Sequence, residues 1–267
     1  MRNGGRFAEH QLMFDDMRES AEWSAVQSVP ALGAADIHVW RGRLAANSAP
    51  HAVLKQHLSE DEHEHAARFR FEPDRRRYIA ARGMLRRIVA CYVAERPDQL
   101  RFRYEKHGRP ALVAQPDRCI DFNVSHSGEL VVLAVARTRK VGVDVEKIRV
   151  DIEADEIADR FFSPHEVRTL RSLPGDQRPQ AFFRCWTRKE AYMKACGEGL
   201  AMALDSFDVT LGPGASARFT RGADPSWQLL GFAAACGYPA ALAYNGGPAH
   251  VRFLAADLLL ADGSTSS

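Results

Sequence analysis

Two carboxylates one residue apart stand in Val141-Gly-Val-Asp-Val-Glu146, a stretch whose alternation predicts a β-strand. The valines take one face, and Gly142, Asp144 and Glu146 take the other. The α-carbons of Asp144 and Glu146 would lie roughly 7 Å apart, so the charges repel unless a cation or water relieves them. Magnesium would do so, because it takes hard oxygen ligands and shares its shell between one or two carboxylates, waters and substrate phosphates. An isolated Asp-x-Glu is more commonly a solvated strand face, so the pair needs support from elsewhere in the chain.

Phe182-Phe-Arg-Cys-Trp-Thr-Arg-Lys-Glu-Ala-Tyr-Met-Lys194 supplies a third carboxylate. Glu190 follows Trp186 by four residues and Phe183 by seven, on the apolar stripe of a helix, where its carboxylate faces protein and needs a partner. Lys194, one turn on, offers an intrahelical ion pair; a role in catalysis is the alternative. In Phe122-Asn-Val-Ser-His-Ser-Gly128 a strand runs into Ser125, His126 and Ser127 before a glycine that lets the backbone approach closely. Such a turn can grip phosphate, whereas a plain hairpin would need only the glycine. His107-Gly-Arg-Pro110 is another turn, with Arg109 available to an anion or an aromatic ring. Arg75, Arg76, Arg77, Arg82, Arg86 and Arg87 share one helix and could reach phosphate in pairs, though a solvated basic face accounts for most of them. His51, His57, His63 and His65 are not spaced as a metal site.

Several elements must position these groups. Ala35–Trp40 alternates as a first strand, Ser59-Glu-Asp-Glu62 is a capping box opening a helix towards Phe71, and Pro73 opens a long second helix. Strands follow at Leu100–Tyr104, Cys119–Val124 and Leu130–Ala136. The second half repeats the order. It has the acidic strand, a capping box at Ser163-Pro-His-Glu166, a long helix near Gln177–Cys196, and strands near Phe207–Leu211, Trp227–Phe232 and Ala240–Tyr244. This predicts an α/β (α+β) fold of two similar lobes about a pseudo-twofold axis, with a cleft between them. The expected division is a loosely ordered 1–35, lobes at 36–139 and 140–257, and a flexible 258–267.

Composition narrows the function. With 267 residues, 46% of them hydrophobic, the chain can bury a substantial core. Its 36 basic and 34 acidic residues nearly cancel, giving no global attraction for nucleic acid. Five cysteines without CxxC spacing argue against a disulfide framework or a zinc site. The N-terminus lacks the apolar core of an export signal, and the apolar run 229–244 is broken by Gly231, Gly237 and Pro239, so a cytoplasmic location is expected.

Taken together, Phe122–Gly128, Gly142–Glu146, Phe161-Phe-Ser-Pro-His-Glu166 and Trp186–Lys194 resemble, in order, the motifs of the Sfp-type phosphopantetheinyl transferases, and the resemblance runs from Ile37 onward. It implies a monomer that binds coenzyme A and Mg²⁺ between its lobes and modifies a serine of an acyl or peptidyl carrier protein. By resemblance Asp144, Glu146 and Glu190 hold the metal, Glu190 also deprotonates the serine, and Lys194 lies near the leaving phosphate; Lys189 is a further candidate to steady the charge on the leaving group. Ser125 and His126 match the 3′-phosphate site, Gly108, Arg109 and Pro110 the turn beside the adenine, and Arg77 the basic helix. Where relatives often carry lysines upstream, this chain has Glu62 and His65. The competing readings are a catalytically silent module binding coenzyme A and a carrier, and a metal-dependent nuclease. Glu146 followed directly by Lys147, and the near-neutral charge, oppose the nuclease.

Overall fold

The computed structural model describes residues 21–44, 51–105, 108–113, 119–197, 199 and 202–261. In chain order the elements are β1 (Ser24–Ala25), β2 (Asp36–Arg43), α1 (His51–Gln56), α2 (Glu60–Ala67), α3 (Glu72–Val93), β3 (Phe102–Tyr104), β4 (Pro110–Leu112), β5 (Asp121–Ser127) and β6 (Leu130–Ala136). The second half has β7 (Val141–Val145), α4 (Ala154–Phe161), α5 (Pro164–Ser172), α6 (Arg178–Cys196), β8 (Asp208–Val209), β9 (Phe219–Arg221), β10 (Trp227–Ala235), β11 (Tyr238–Asn245), β12 (His250–Ala255) and α7 (Asp257–Ala261).

The repetition expected from the sequence is a repetition of topology. Among the described residues one sheet has the order β1-β12-β2-β6-β5 and a second the order β10-β11-β7. In each half the first strand pairs antiparallel with the last strand of the repeat, β2 with β6 and β7 with β11. The middle strand, β5 or β10, lies outside that partner. Each half also places a two-stranded ribbon, β3-β4 or β8-β9, between its long helix and those strands. The fold is α+β with two lobes.

Strand alternation builds four layers. Ile37, Val39, Val132, Ala134, Val141, Val143, Phe232 and Leu242 face inward and join the two sheets in one core. The opposite faces carry Trp40, Val131 and Leu133 against α3, and Ala241 and Ala243 against α6. Gly142 is where α6 comes closest: a Cβ there would collide with the backbone of Ala191 and Ala195.

Along the seam, edge strand β7 is completed by side chains. The N–H groups of Val141, Val143 and Lys147 donate to Asp121 Oδ2 (2.8 Å), Asn123 Oδ1 (2.9 Å) and Ser127 Oγ (3.0 Å) of β5. A buried edge must satisfy its donors, and alternate residues of β5 do so.

The structure corrects the expected boundaries. The described part of the leader is built into the fold: β1 pairs with β12, and Trp23 packs on Phe232 and Phe253 under the Arg41 guanidinium. Residues 1–20 lie outside the described part. β12 pairs parallel with β2, so the end of the span 140–257 belongs to the first sheet. β10 and β11 already pair with each other, which leaves the open edge of β2 as a partner for β12. The expected tail at 258–267 begins as helix, with Leu259 and Leu260 buried in the first lobe's core, and 262–267 lie outside the described part. The helix expected to run from Ser59 towards Phe71 ends at Ala67. Arg86, placed on the surface by helical spacing, is 2% exposed and pairs with buried Glu62. None of the helices among the described residues is long and apolar enough to cross a membrane.

Candidate active site

β7 and α6 bring the acidic groups together because Gly142 lets the helix lie directly on the strand. Asp144, two residues along the same face, then points between α6 and β5. It is 3% exposed, and its Oδ1 accepts from Ser125 Oγ at 2.8 Å and from Lys194 Nζ at 2.6 Å. Lys194 Nζ also lies 3.1 Å from Ser125 Oγ. The ammonium offered on sequence grounds to Glu190 thus reaches Asp144 on β7 and, across the seam, Ser125 on β5. Ser127, the second hydroxyl of the turn, donates to Glu146 at 2.7 Å.

A cavity of about 340 Å³ opens over this cluster, lined by Val124, Ser125, His126, Asp144, Glu146, Trp186, Glu190 and Lys194. Its electrostatics are those of a site short of positive charge. Burial, reinforced by Asp144 and Glu146 and opposed by Lys194, pushes the Glu190 carboxyl up to about 7. Glu146 is also raised, by burial first and by Asp144, against the hydroxyl of Ser127. His126 is held below the ordinary histidine value by desolvation against the cavity wall and by the Lys194 charge.

The acidic cavity offers hard oxygen ligands of the kind a divalent cation takes. Asp144 Oδ2 is buried and has no hydrogen-bond partner among the described residues, and every candidate donor is a carboxylate oxygen. No preformed cage of three His, Cys, Asp or Glu side chains exists among those residues.

A second cavity of about 610 Å³ shares Val124 and His126 with the first, and its wall includes Phe69, Arg77, Tyr78, Arg82, Tyr104, Gly108 and Pro110. Arg82 stacks over Phe102 and Tyr104, 4.7 and 5.6 Å from the ring centroids, and donates to the Tyr104 hydroxyl at 2.6 Å. Arg77 reaches this cavity from an exposed position, paired with Asp74 at 3.1 Å. Glu62 is an interior anchor for Arg82 and Arg86, and His65 meets Phe69 edge-on and Tyr78 at a tilt. The aromatic wall escaped sequence reading because Tyr104 and Tyr78 come from separate elements. His107 lies outside the described residues.

Two residues singled out from the sequence face elsewhere. Lys189 is fully buried. It pairs with Glu166 at 2.8 Å and donates to the carbonyls of Leu204 (2.7 Å) and Phe207 (2.6 Å), and it does not line the acidic cavity. Glu166 is itself the reciprocal partner of Ser163 in the α5 capping box. Lys189→Met should therefore cost about 3–5 kcal/mol in denaturant unfolding, because Glu166 is left buried and unpaired. Unchanged stability with a raised substrate KM would return Lys189 to the site. Arg109 points away from the cavity that Gly108 and Pro110 line; its guanidinium is engaged in the seam.

Comparison with known proteins agrees with this two-part layout. The family described as 4'-phosphopantetheinyl transferase superfamily matches residues 140–243, and that described as 4'-phosphopantetheinyl transferase, N-terminal, matches residues 45–138. The two matches meet where β6 hands over to β7. The chain is 41% identical over 199 residues to 4'-phosphopantetheinyl transferase HetI of Nostoc sp., covering 73% of this chain and 81% of that protein. It is 37% identical over 159 residues to psf-1 of Bacillus pumilus, covering 59% and 66%, and 32% identical over 155 residues to Sfp of Bacillus subtilis, covering 58% and 66%.

Proposed function

Since the chain belongs to the 4'-phosphopantetheinyl transferase superfamily, we propose that its two joined cavities bind coenzyme A for transfer of the phosphopantetheine arm to a serine of an apo carrier protein. The observation that carries this reading is the hydrogen-bonded cluster of Asp144, Lys194 and Ser125 beside a Glu190 carboxyl raised to about 7. A general base works best with a pKa near the operating pH, and burial has moved Glu190 there.

In this reading the nucleoside end of coenzyme A occupies the aromatic-walled cavity, with Gly108 and Pro110 at the base, and Arg77 and Arg82 supply positive charge. The diphosphate reaches over His126 to the acidic cavity. Asp144, Glu146 and Glu190 would hold Mg²⁺, which when bound supplies charge neutralisation for the diphosphate. Glu190 takes the proton from the carrier serine. The serine oxygen then bonds to the β-phosphorus, whose bond to the bridging oxygen breaks, and that electron pair leaves on adenosine 3',5'-bisphosphate. Lys194 turns from Asp144 towards the departing phosphate and steadies its charge. Carriers of this kind are acidic helical domains. The stretch after β7, with Lys147, Arg149 and the 79%-exposed Val150 leading to α4 and α5, is the surface we assign to them.

The test is intact-mass spectrometry of an apo carrier incubated with the protein, coenzyme A and Mg²⁺, with and without EDTA. A gain of one phosphopantetheine, lost in EDTA, is expected. Unchanged mass across several carriers while coenzyme A still binds would replace the transferase with a silent binding module.

A further inference from the structure

Three chain segments carry the polar cluster of the acidic cavity: β5 brings Ser125, β7 brings Asp144 and the last turn of α6 brings Lys194. One guanidinium touches all three. Arg109 Nη1 donates to the Lys194 carbonyl at 2.9 Å, and Nη2 lies 2.8 Å from Asp121 Oδ2, 3.1 Å from the Phe122 carbonyl and 3.2 Å from the Val141 carbonyl. Phe122 precedes Ser125 by three residues, and Val141 precedes Asp144 by three. The Arg109 side chain is 10% exposed, and Asp121 also accepts the Val141 N–H.

Each contact has its own physical reason. The Lys194 carbonyl is among the last of α6, where carbonyls lack intrahelical donors and a cation is favoured. The carbonyls of Phe122 and Val141 lie on strands of different sheets, and only a planar fork with several fixed donors can serve both while pairing with a carboxylate. Lysine has the charge but not the fork. The side chains part at this turn: Gly108 and Pro110 line the nucleoside cavity, whereas the Arg109 side chain between them enters the seam.

We propose that Arg109 is a positioning residue that fixes Ser125, Asp144 and Lys194 relative to one another across the two lobes, and that it does not contact coenzyme A. The proposal rests on the transferase reading for its kinetic test but has a structural readout of its own. Misplacement of reacting groups by about 1 Å can cost on the order of a hundredfold in rate. Arg109→Lys and Arg109→Gln should therefore lower kcat by about tenfold to a hundredfold, with KM for coenzyme A changed less than about threefold. Hydrogen exchange should accelerate at residues 141–145 and 191–197 in both variants, with no comparable change in β10.

A raised KM for coenzyme A at unchanged kcat would make Arg109 a substrate contact and overturn the proposal, as would wild-type kcat in a folded variant. Uniform acceleration of exchange across the chain would reduce Arg109 to a stabilising residue and also overturn it. If the wild-type protein transfers nothing, the transferase reading fails separately. Exchange then decides: acceleration confined to the two segments sustains the positioning role, and none refutes it.

Discussion

Asp144→Asn should lower carrier modification by at least about a thousandfold while leaving the chain folded. The strand does not depend on the charge: β7 is held by pairing with β11, where Asp144 sits opposite Ala241, and by the inward-facing Val143 and Val145. The cavity does depend on it. Asp144 is where the hydroxyl of Ser125 and the ammonium of Lys194 converge, and its second oxygen is buried without a partner. Removing the charge leaves Lys194 beside a neutral amide and takes the central anion from any divalent ion. Carrier modification followed by mass, a thermal melt, and Mn²⁺ affinity by electron paramagnetic resonance would separate these effects. A folded variant with wild-type rate and wild-type Mn²⁺ affinity would falsify the placement of the metal at this residue.

Glu190→Gln should cost about 10²–10⁴ in kcat, the usual contribution of a positioned base, and in metal-free protein it should change how stability responds to pH. Glu190 is raised from 4.5 in the unfolded chain to about 7 in the folded one. Between those values the unfolded chain has lost the proton while the folded chain still holds it, so wild-type stability falls as pH rises and then levels above about 7. Glutamine has no proton to lose. In EDTA the variant's Tm should exceed wild type by a wider margin at pH 8 than at pH 5, each kcal/mol relieved appearing as roughly 2–4 °C in a chain of about this size. An equal margin at both pH values would mean that the carboxyl is not raised.

What could be read from the sequence was whatever local spacing decides. The β7 alternation placed Gly142 and Asp144 on the side that α6 covers, and the 186–190–194 spacing turned Glu190 and Lys194 to one face. Both capping boxes form. What could not be read depends on partners far along the chain. Lys189 and Lys194 look alike as cations on one helix, yet Lys189 meets Glu166 and two carbonyls of the 204–207 turn in the interior. The direction of Arg109 had no local signal either, because it sits in the turn before β4 and its partners, Asp121, Val141 and Lys194, lie far along the chain. The return of β12 to β2 had no local signal, because parallel pairing between such distant segments leaves no hairpin in the sequence.

The packing of the two sheets has a consequence for folding. Each sheet covers its outer face with its own long helix but relies on the other sheet to cover its inner face, where Ile37, Val39, Val141, Val143 and Leu242 are fully buried. Severed between β6 and β7, either half would present that apolar surface to water together with an open edge, the pattern that drives association instead of autonomous folding. The repeat is therefore one of architecture and not of thermodynamics. Two halves of the same topology make a single cooperative unit, and a substitution on the inner face of either one weakens both.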